Sequence, residues 1–329
     1  MWDAAFEEGE KMNDLHLLPK LRDSWSYLYL EHGIIDQDAS SIAFHDEGGK
    51  IPIPCASLTV LMVGPGTKIT HAAVRVLADT GCMVIWCGEQ GVRFYASGMG
   101  ESRDSSRLIY QAKLVSDPIL RTKVVIKMYQ LRFNEKIESG LTLQQIRGKE
   151  GVRIRDAYQK ASAESGVEWT GRTYKTKEWN ASDPVNKALS AANACLYGLC
   201  HAAIVSLGYS PGLGFVHTGK SLSFVYDVAD LYKTETSIPI AFKAASEGTT
   251  NLERTVRQKM REAFKEARLL NRIADDIESI LNIDDIDYEV SESDFDVDGS
   301  MPGGLWDPSG SIQGGKNYGD ETNGNNDIG

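Results

Sequence analysis

No two cysteines in this chain of 329 residues have the spacing of a redox or metal-binding pair. Cys55, Cys82, Cys87, Cys195 and Cys200 form no C-x-x-C, are odd in number and sit among apolar neighbours. A disulfide framework is thereby excluded, and reduced thiols are expected. Long apolar runs are also missing. No stretch reaches the ~18 uninterrupted apolar residues that cross a bilayer. Residues 1–13 are acidic and broken by charges, unlike a secretory signal. The expected location is the cytoplasm, with no membrane partner. Positive charge is scarce too: 46 acidic residues outnumber 35 basic ones, a net charge of −11.

That shortage is local. Residues 283–329 hold twelve Asp/Glu and one lysine, Lys316, and so carry −11 by themselves. The first 282 residues therefore hold 34 charges of each sign, and within them residues 103–177 hold sixteen Lys/Arg against eight Asp/Glu. A basic segment in a neutral body with an acidic tail fits a polyanion held locally, although solvated helix faces would give the same count.

The expected fold class is α+β, a small N-terminal β-sandwich with one embedded helix followed by an all-α domain. After an N-terminal extension (1–23), short β-branched and aromatic runs at 25–30, 41–45, 58–63, 83–87 and 92–96 read as strands of a domain spanning 24–98. One helix interrupts them, capped by Thr70, with Ala72, Ala73, Val76 and Leu77 as its apolar stripe and Gly81 at its end. A Gly/Ser/charge linker follows at 99–106. Helices are then predicted at 106–116, at 118–135 and, opened by Thr142, at 143–165 within a domain spanning 107–282. Asp183-Pro184 opens a further apolar helix running to Leu207. Others are expected near 222–233, 237–246 and 252–281. The acidic tail, 283–329, buries too little to offset chain entropy and reads as disordered.

The stretch richest in chemistry lies between Pro211 and Asp230. His217 sits on a turn flanked by Gly214 and Gly219. Asp227 and Asp230 follow at i and i+3 of a helix, about 5–6 Å apart at Cβ. Such groups can converge on one cation. A third acid, Glu150, stands among Arg147, Lys149, Arg153 and Arg155. Carboxylate oxygens with one imidazole suit Mg²⁺ or Mn²⁺, and such an ion can clamp a phosphodiester. The bland alternatives are a hydrogen-bonded core histidine, a solvated aspartate face and a Glu150–Arg153 pair.

Three motifs carry a family likeness: H-T-G-K-S-L-S-F-V-Y-D-V-A-D from His217 to Asp230, R-G-K-E-G from Arg147, and D-P-V-N from Asp183. They resemble the CRISPR adaptation integrases, the larger of the two universal spacer-acquisition proteins. The β-region runs E-H-G-I-I-D from Glu31, G-P-G-T-K-I-T-H-A-A-V-R from Gly64 and G-E-Q-G-V-R-F-Y-A-S-G from Gly88 look most like the Cascade-associated branch, subtype E of type I. The likeness covers roughly residues 24–282.

The resemblance implies that Glu150, His217 and Asp230 ligate the metal, with Asp227 a supporting acid of the catalytic set. It implies a homodimer, two of which flank a dimer of a small ferredoxin-like partner. It further implies a reaction without ATP. The 3′-hydroxyls of a captured DNA fragment (a prespacer) attack phosphodiesters at the CRISPR repeat. Lys68, Arg75 and Arg93, with Lys233, Arg254 and Arg257, fall where this branch grips duplex phosphates. Arg147 can hold a phosphate, and Lys220 a phosphate or base edge. Tyr174, Tyr197 and Tyr226 could stack on bases near the metal, or simply pack in the core. His32 stands where the branch often has a tyrosine wedge. The acidic tail, which matches no motif, is expected to compete with DNA for the basic segment. Two other functions use the same residues: a nuclease whose nucleophile is water, and a noncatalytic DNA-bridging subunit.

Overall fold

Val60–Val63 and Met83–Cys87 are apolar at nearly every position because the sheet they belong to is covered on both faces. The structure, a computed structural model, describes residues 27–55, 58, 60–89, 94–98, 105–135, 137, 142–171, 183–283, 305–307 and 310–312. The N-terminal extension 1–23, residues 25, 26, 59 and 92 of the expected strands, linker residues 99–104, Arg93 and Tyr174 lie outside these, as does the tail apart from residue 283 and the two short stretches 305–307 and 310–312.

The covered sheet has the order β1 (Tyr27–Leu30), β5 (Val60–Val63), β7 (Met83–Cys87), β8 (Phe94–Gly98). Its first three strands are parallel, and β8 runs antiparallel to β7. The second sheet has the order β4 (Gly49–Ile53), β3 (Ser41–Asp46), β2 (Ile34–Asp38), β6 (Lys68–Ile69). The sequence reading lacks β2, β4 and β6. Polar β2, proline-bearing β4 and two-residue β6 give no strand signal of their own, and each is defined by a neighbour. Ala39, with φ 54°, closes the β2–β3 hairpin.

Helix α1 (His71–Asp79) lies between the sheets. Thr70 caps it by accepting a hydrogen bond from Ala73 N at 3.2 Å, and Ala73, Val76 and Leu77 are buried as the stripe predicts. Those three pack with Ile35, Ile42 and Phe44 of one sheet and Leu61, Val63 and Val84 of the other. Period-2 alternation sends the intervening residues, Val60, Met62, Met83 and Ile85, to the opposite face. There they meet Ala202 and Val205 of the helical half.

That half comprises α2 (Ser106–Ser116), α3 (Pro118–Phe133), α4 (Leu143–Ser165), α5 (Pro184–Ser206), α6 (Ser223–Asp230), α7 (Ser237–Glu247), α8 (Leu252–Glu266) and α9 (Leu269–Leu281). Thr142 opens α4 with a reciprocal capping box to Gln145. Asp183 opens α5, accepting from Asn186 N at 2.9 Å. Three boundaries differ from expectation. α3 stops at Phe133, where Asn134 turns left-handed at φ 48°. The expected helix 222–233 is shorter, at Ser223–Asp230. The expected helix 252–281 is two, broken at Arg268 with φ 45°. No Gly or Pro marks that break, but the apolar stripe slips phase there: Val256, Met260 and Phe264 step by four, and the next buried residue is Leu269.

α5 is long and apolar enough to cross a membrane, with a mean hydropathy of 1.5 in its best window, yet 72% of that window is buried inside the protein. It packs on α6, α7, α8, α9, β7 and β8, which makes it the core helix. All five cysteines are free and buried, and burial pushes the Cys195 thiol up to about 12. In the tail, Leu305–Asp307 and Gly310–Ile312 form a short antiparallel hairpin, β9 and β10, in a unit separate from the rest.

His201 on α5 is 6% exposed, stacks on Phe94 with centroids 3.8 Å apart, and has no hydrogen-bond partner at Nδ1. Burial lowers its pKa from 6.5 to about 4. A depressed histidine stays neutral when folded but takes a proton when unfolded, so its contribution is whole above pH 6.5 and is lost as pH falls towards 4. Urea unfolding should show about 2–3 kcal/mol lost over that window, and His201→Phe should remove that component. An identical pH slope in the variant would contradict this.

Candidate metal centre

Asp227 builds the turn that carries His217. Its side chain is fully buried on α6. Oδ2 accepts from Phe215 N at 2.6 Å and Val216 N at 3.0 Å, and Oδ1 accepts from His217 N at 2.8 Å. The same Oδ1 lies 2.7 Å from His217 Nδ1. One carboxylate thus satisfies three backbone donors and takes the ring proton on Nδ1, which leaves Nε2 with a free lone pair. The hydrogen bond that His217 donates to Asp227 raises the His217 pKa, outweighing the opposing effect of burial.

Two other helices staple the turn. Gln111 of α2, fully buried, donates to Ser210 O at 3.1 Å and Leu213 O at 2.9 Å and accepts from Ser210 N at 2.7 Å. Arg121 of α3 donates to Phe215 O at 2.9 Å and Gly214 O at 3.1 Å. Gly214 is required there, since a Cβ would stand 2.4 Å from His217 O and 2.7 Å from the Ser223 Cβ.

Glu150 on α4 and Asp230 on α6 face His217 across a small cleft, completed by Met128, Tyr129, Arg132, Val216, Asp227 and Leu231. Its volume of ≈ 20 Å³ admits about one water-sized species. His217 is 44% exposed at its side chain, so the cleft opens to solvent. Arg132 of α3, only 7% exposed, binds Glu150 Oε1 through Nη1 and lies 3.8 Å from Asp230 Oδ2. Lys233 Nζ sits 2.5 Å from Asp230 Oδ1. Burial would lower the Lys233 pKa, but Asp230 and Tyr197 outweigh it and hold the ammonium above its ordinary range. Burial, then the charge of Glu150, push the Tyr129 phenol up to about 12.

Among the described residues, no three His, Cys, Asp or Glu side chains are drawn tightly enough to hold a metal. Arg132 stands between two of them. The donor set nevertheless fits a hard divalent cation: two carboxylates and an imidazole face one cleft, and a carboxylate orients that imidazole from behind, as the hydrogen-bond partners of metal-bound histidines do. A cation already sits between Glu150 and Asp230. The Glu150–Arg153 pairing does not form, since Arg153 instead binds Glu135 and stacks on Phe133 at 4.4 Å.

The other predicted residues divide by exposure. His32, Lys68, Arg75, Arg147, Lys220 and Arg254 are exposed. Lys233 is turned inward on Asp230, and Arg257, 11% exposed, pairs with Glu89 and Glu253. Tyr197 and Tyr226 pack edge to face at 5.1 Å, with Tyr226 also 5.9 Å from the His217 ring. They line the site half-buried. Sequence reading misses Gln111, Arg121, Tyr129 and Arg132, which lie outside any motif on helices that read as scaffold.

The family model for CRISPR associated protein Cas1 matches residues 128–269. CRISPR-associated endonuclease Cas1 2 of Thermus thermophilus is 50% identical over 306 residues, 93% of this chain and 94% of its own. CRISPR-associated endonuclease Cas1 of a Clostridium species is 46% identical over 307 residues, 92% of this chain and 99% of its own. Among solved structures, a TtCas1–DNA complex superposes with a TM-score of 0.71 at 52% identity, covering 80% of this chain and 99% of that one. This chain belongs to the Cas1 family of CRISPR-associated proteins.

Proposed function

We propose that the chain is a divalent-metal-dependent DNA integrase of CRISPR adaptation, of the Cascade-associated subtype E branch. It joins the 3′-hydroxyl ends of captured fragments to phosphodiesters of the repeat by transesterification. One observation carries this reading. Glu150, His217 and Asp230 come from three separate elements onto one cleft, with Asp227 locked behind the histidine. The DNA complex of a 52% identical relative supports a DNA substrate.

When bound, Mg²⁺ or Mn²⁺ supplies a Lewis acid for the scissile phosphate and for charge developing on the attacking and leaving oxygens. The chain supplies position. Glu150 and Asp230 present oxygens from either side, and Asp227 fixes the His217 tautomer so that Nε2 is the donor. Arg147, three residues before Glu150, and Lys220, three after His217, are exposed and can hold backbone phosphates. The cleft has room for about one ion or water, and half-exposed His217 leaves it accessible to an extended substrate lying outside it. With every cysteine buried, no thiolate nucleophile is offered, consistent with direct attack by a substrate hydroxyl. The assembly proposed is a homodimer, two of which flank a dimer of a small ferredoxin-like partner.

The names of the relatives favour one second reading, an endonuclease whose nucleophile is water. A strand-transfer assay on a supercoiled repeat plasmid separates the two. Repeat–fragment joints that vanish with chelator and return with Mn²⁺ are expected. Nicks alone, with no joined product, would leave the nuclease.

A further inference from the structure

We infer that Arg132 is the resident cation of the metal centre: its guanidinium positions Glu150 and Asp230 before a divalent ion arrives, and competes with that ion for them. This rests on the reading of Glu150, His217 and Asp230 as ligands.

Two carboxylates facing one small cleft repel each other, and something must hold them there. Arg132 does so. It is 7% exposed, binds Glu150 Oε1 and stands 3.8 Å from Asp230 Oδ2. A single nitrogen, Nη1, faces both carboxylates, the place a divalent ion would take between them. With Lys233 on the second oxygen of Asp230, the carboxylates of Glu150 and Asp230 are already balanced by two cations, while Asp227 is engaged by His217 and three backbone N–H groups behind the ring. An ion of charge +2 is then attracted only to the extent that a resident cation gives way.

The two cations are not held equally. Lys233 is 2.5 Å from Asp230 and 5.1 Å from the Tyr197 ring centroid. Arg132 is farther from Asp230, at 3.8 Å, and buried atoms without a hydrogen-bond partner lie on both sides of the pair, Arg132 Nε and, its ion pair with Lys233 aside, Asp230 Oδ1. Arg132 reaches both carboxylates through one nitrogen, Nη1, so an ion entering between Glu150 and Asp230 displaces it from both, whereas Lys233 meets only Asp230. Arg132 is therefore the member that yields, releasing Glu150 to the metal. It is a positioning residue, and it sets metal affinity by competition.

Mn²⁺ titration of the intact protein without DNA, by calorimetry and by electron paramagnetic resonance, tests this in wild type, Arg132→Gln, Arg132→Lys and Glu150→Gln. Arg132→Gln should bind Mn²⁺ about tenfold tighter or more, since a competing unit charge a few ångströms away is gone. It should also melt lower without metal and gain more in Tm from Mn²⁺ than wild type does. Arg132→Lys, which keeps the charge, should bind about as weakly as wild type. Arg132→Met, with its long apolar stem, replaces the glutamine variant if that does not fold. A merely structural arginine predicts the opposite, lower Tm and weaker Mn²⁺ binding together, and that result overturns the inference. So does unchanged affinity. If Glu150→Gln leaves Mn²⁺ affinity intact, the ligand reading fails and the inference with it. If Glu150→Gln weakens binding but Arg132→Gln does not tighten it, only the inference fails.

Discussion

Asp230→Asn should abolish joining of a fragment to a repeat, by about a thousandfold or more, while duplex binding is largely retained. Asparagine keeps the shape of the side chain and one oxygen. It removes the charge that a divalent ion needs and that Lys233 now neutralises at 2.5 Å. A group that acts on developing charge affects the rate more than substrate affinity, so single-turnover joining should collapse with little change in Kd. The exposed cations proposed to hold phosphates, Arg147 and Lys220 among them, lie outside the substitution. If the chain only bridges DNA, the asparagine variant joins as well as the parent. Joining within about tenfold of wild type would remove Asp230 from the metal's coordination.

Asp227→Ala should be the most damaging single change to the fold around the site. Three backbone donors, on Phe215, Val216 and His217, lose their acceptor at once. Phe215 is 2% exposed, so no water replaces the carboxylate at its N–H. Each buried donor left unpaired costs about 1–3 kcal/mol, and with His217 able to find solvent the total is about 3–5 kcal/mol. That is a large share of the about 5–15 kcal/mol by which domains are stable. The same change frees the imidazole tautomer, for which metal affinity should fall about 10–100-fold. Urea unfolding and Mn²⁺ titration read the two effects separately. A variant within about 0.5 kcal/mol of wild type would mean the turn is held by Gln111 and Arg121 alone.

How much of this was legible beforehand differs by level. Helices with a chemical start signal were read closely: Thr70, Thr142 and Asp183 each cap the helix expected of them. The break at Arg268 was missed because left-handed φ there falls on an arginine, which carries no turn signal. Strands β2, β4 and β6 were missed because pairing with distant neighbours, rather than composition, makes them strands. At the site, His217, Asp227 and Asp230 were legible because their spacing puts them on one turn and one helix face, whereas Glu150 stood out by its four basic neighbours and by the family likeness. Asp227 and Asp230 differ in role although three residues apart: one is consumed by backbone donors, the other faces the cleft. Spacing alone makes them equivalent. Arg132 was invisible, since nothing local distinguishes it from the other basic residues of its segment. Only the fold brings it to Glu150, which is eighteen residues away.

The parallel sheet carries a further consequence. β5 and β7 turn one side to α1 and the second sheet and the other side to Ala202 and Val205 of α5. The strand half and the helical half thus share a party wall. Neither can be cut away without stripping the plaster from a room of the other, so a scissile break between them would yield two sticky fragments in place of two free-standing domains.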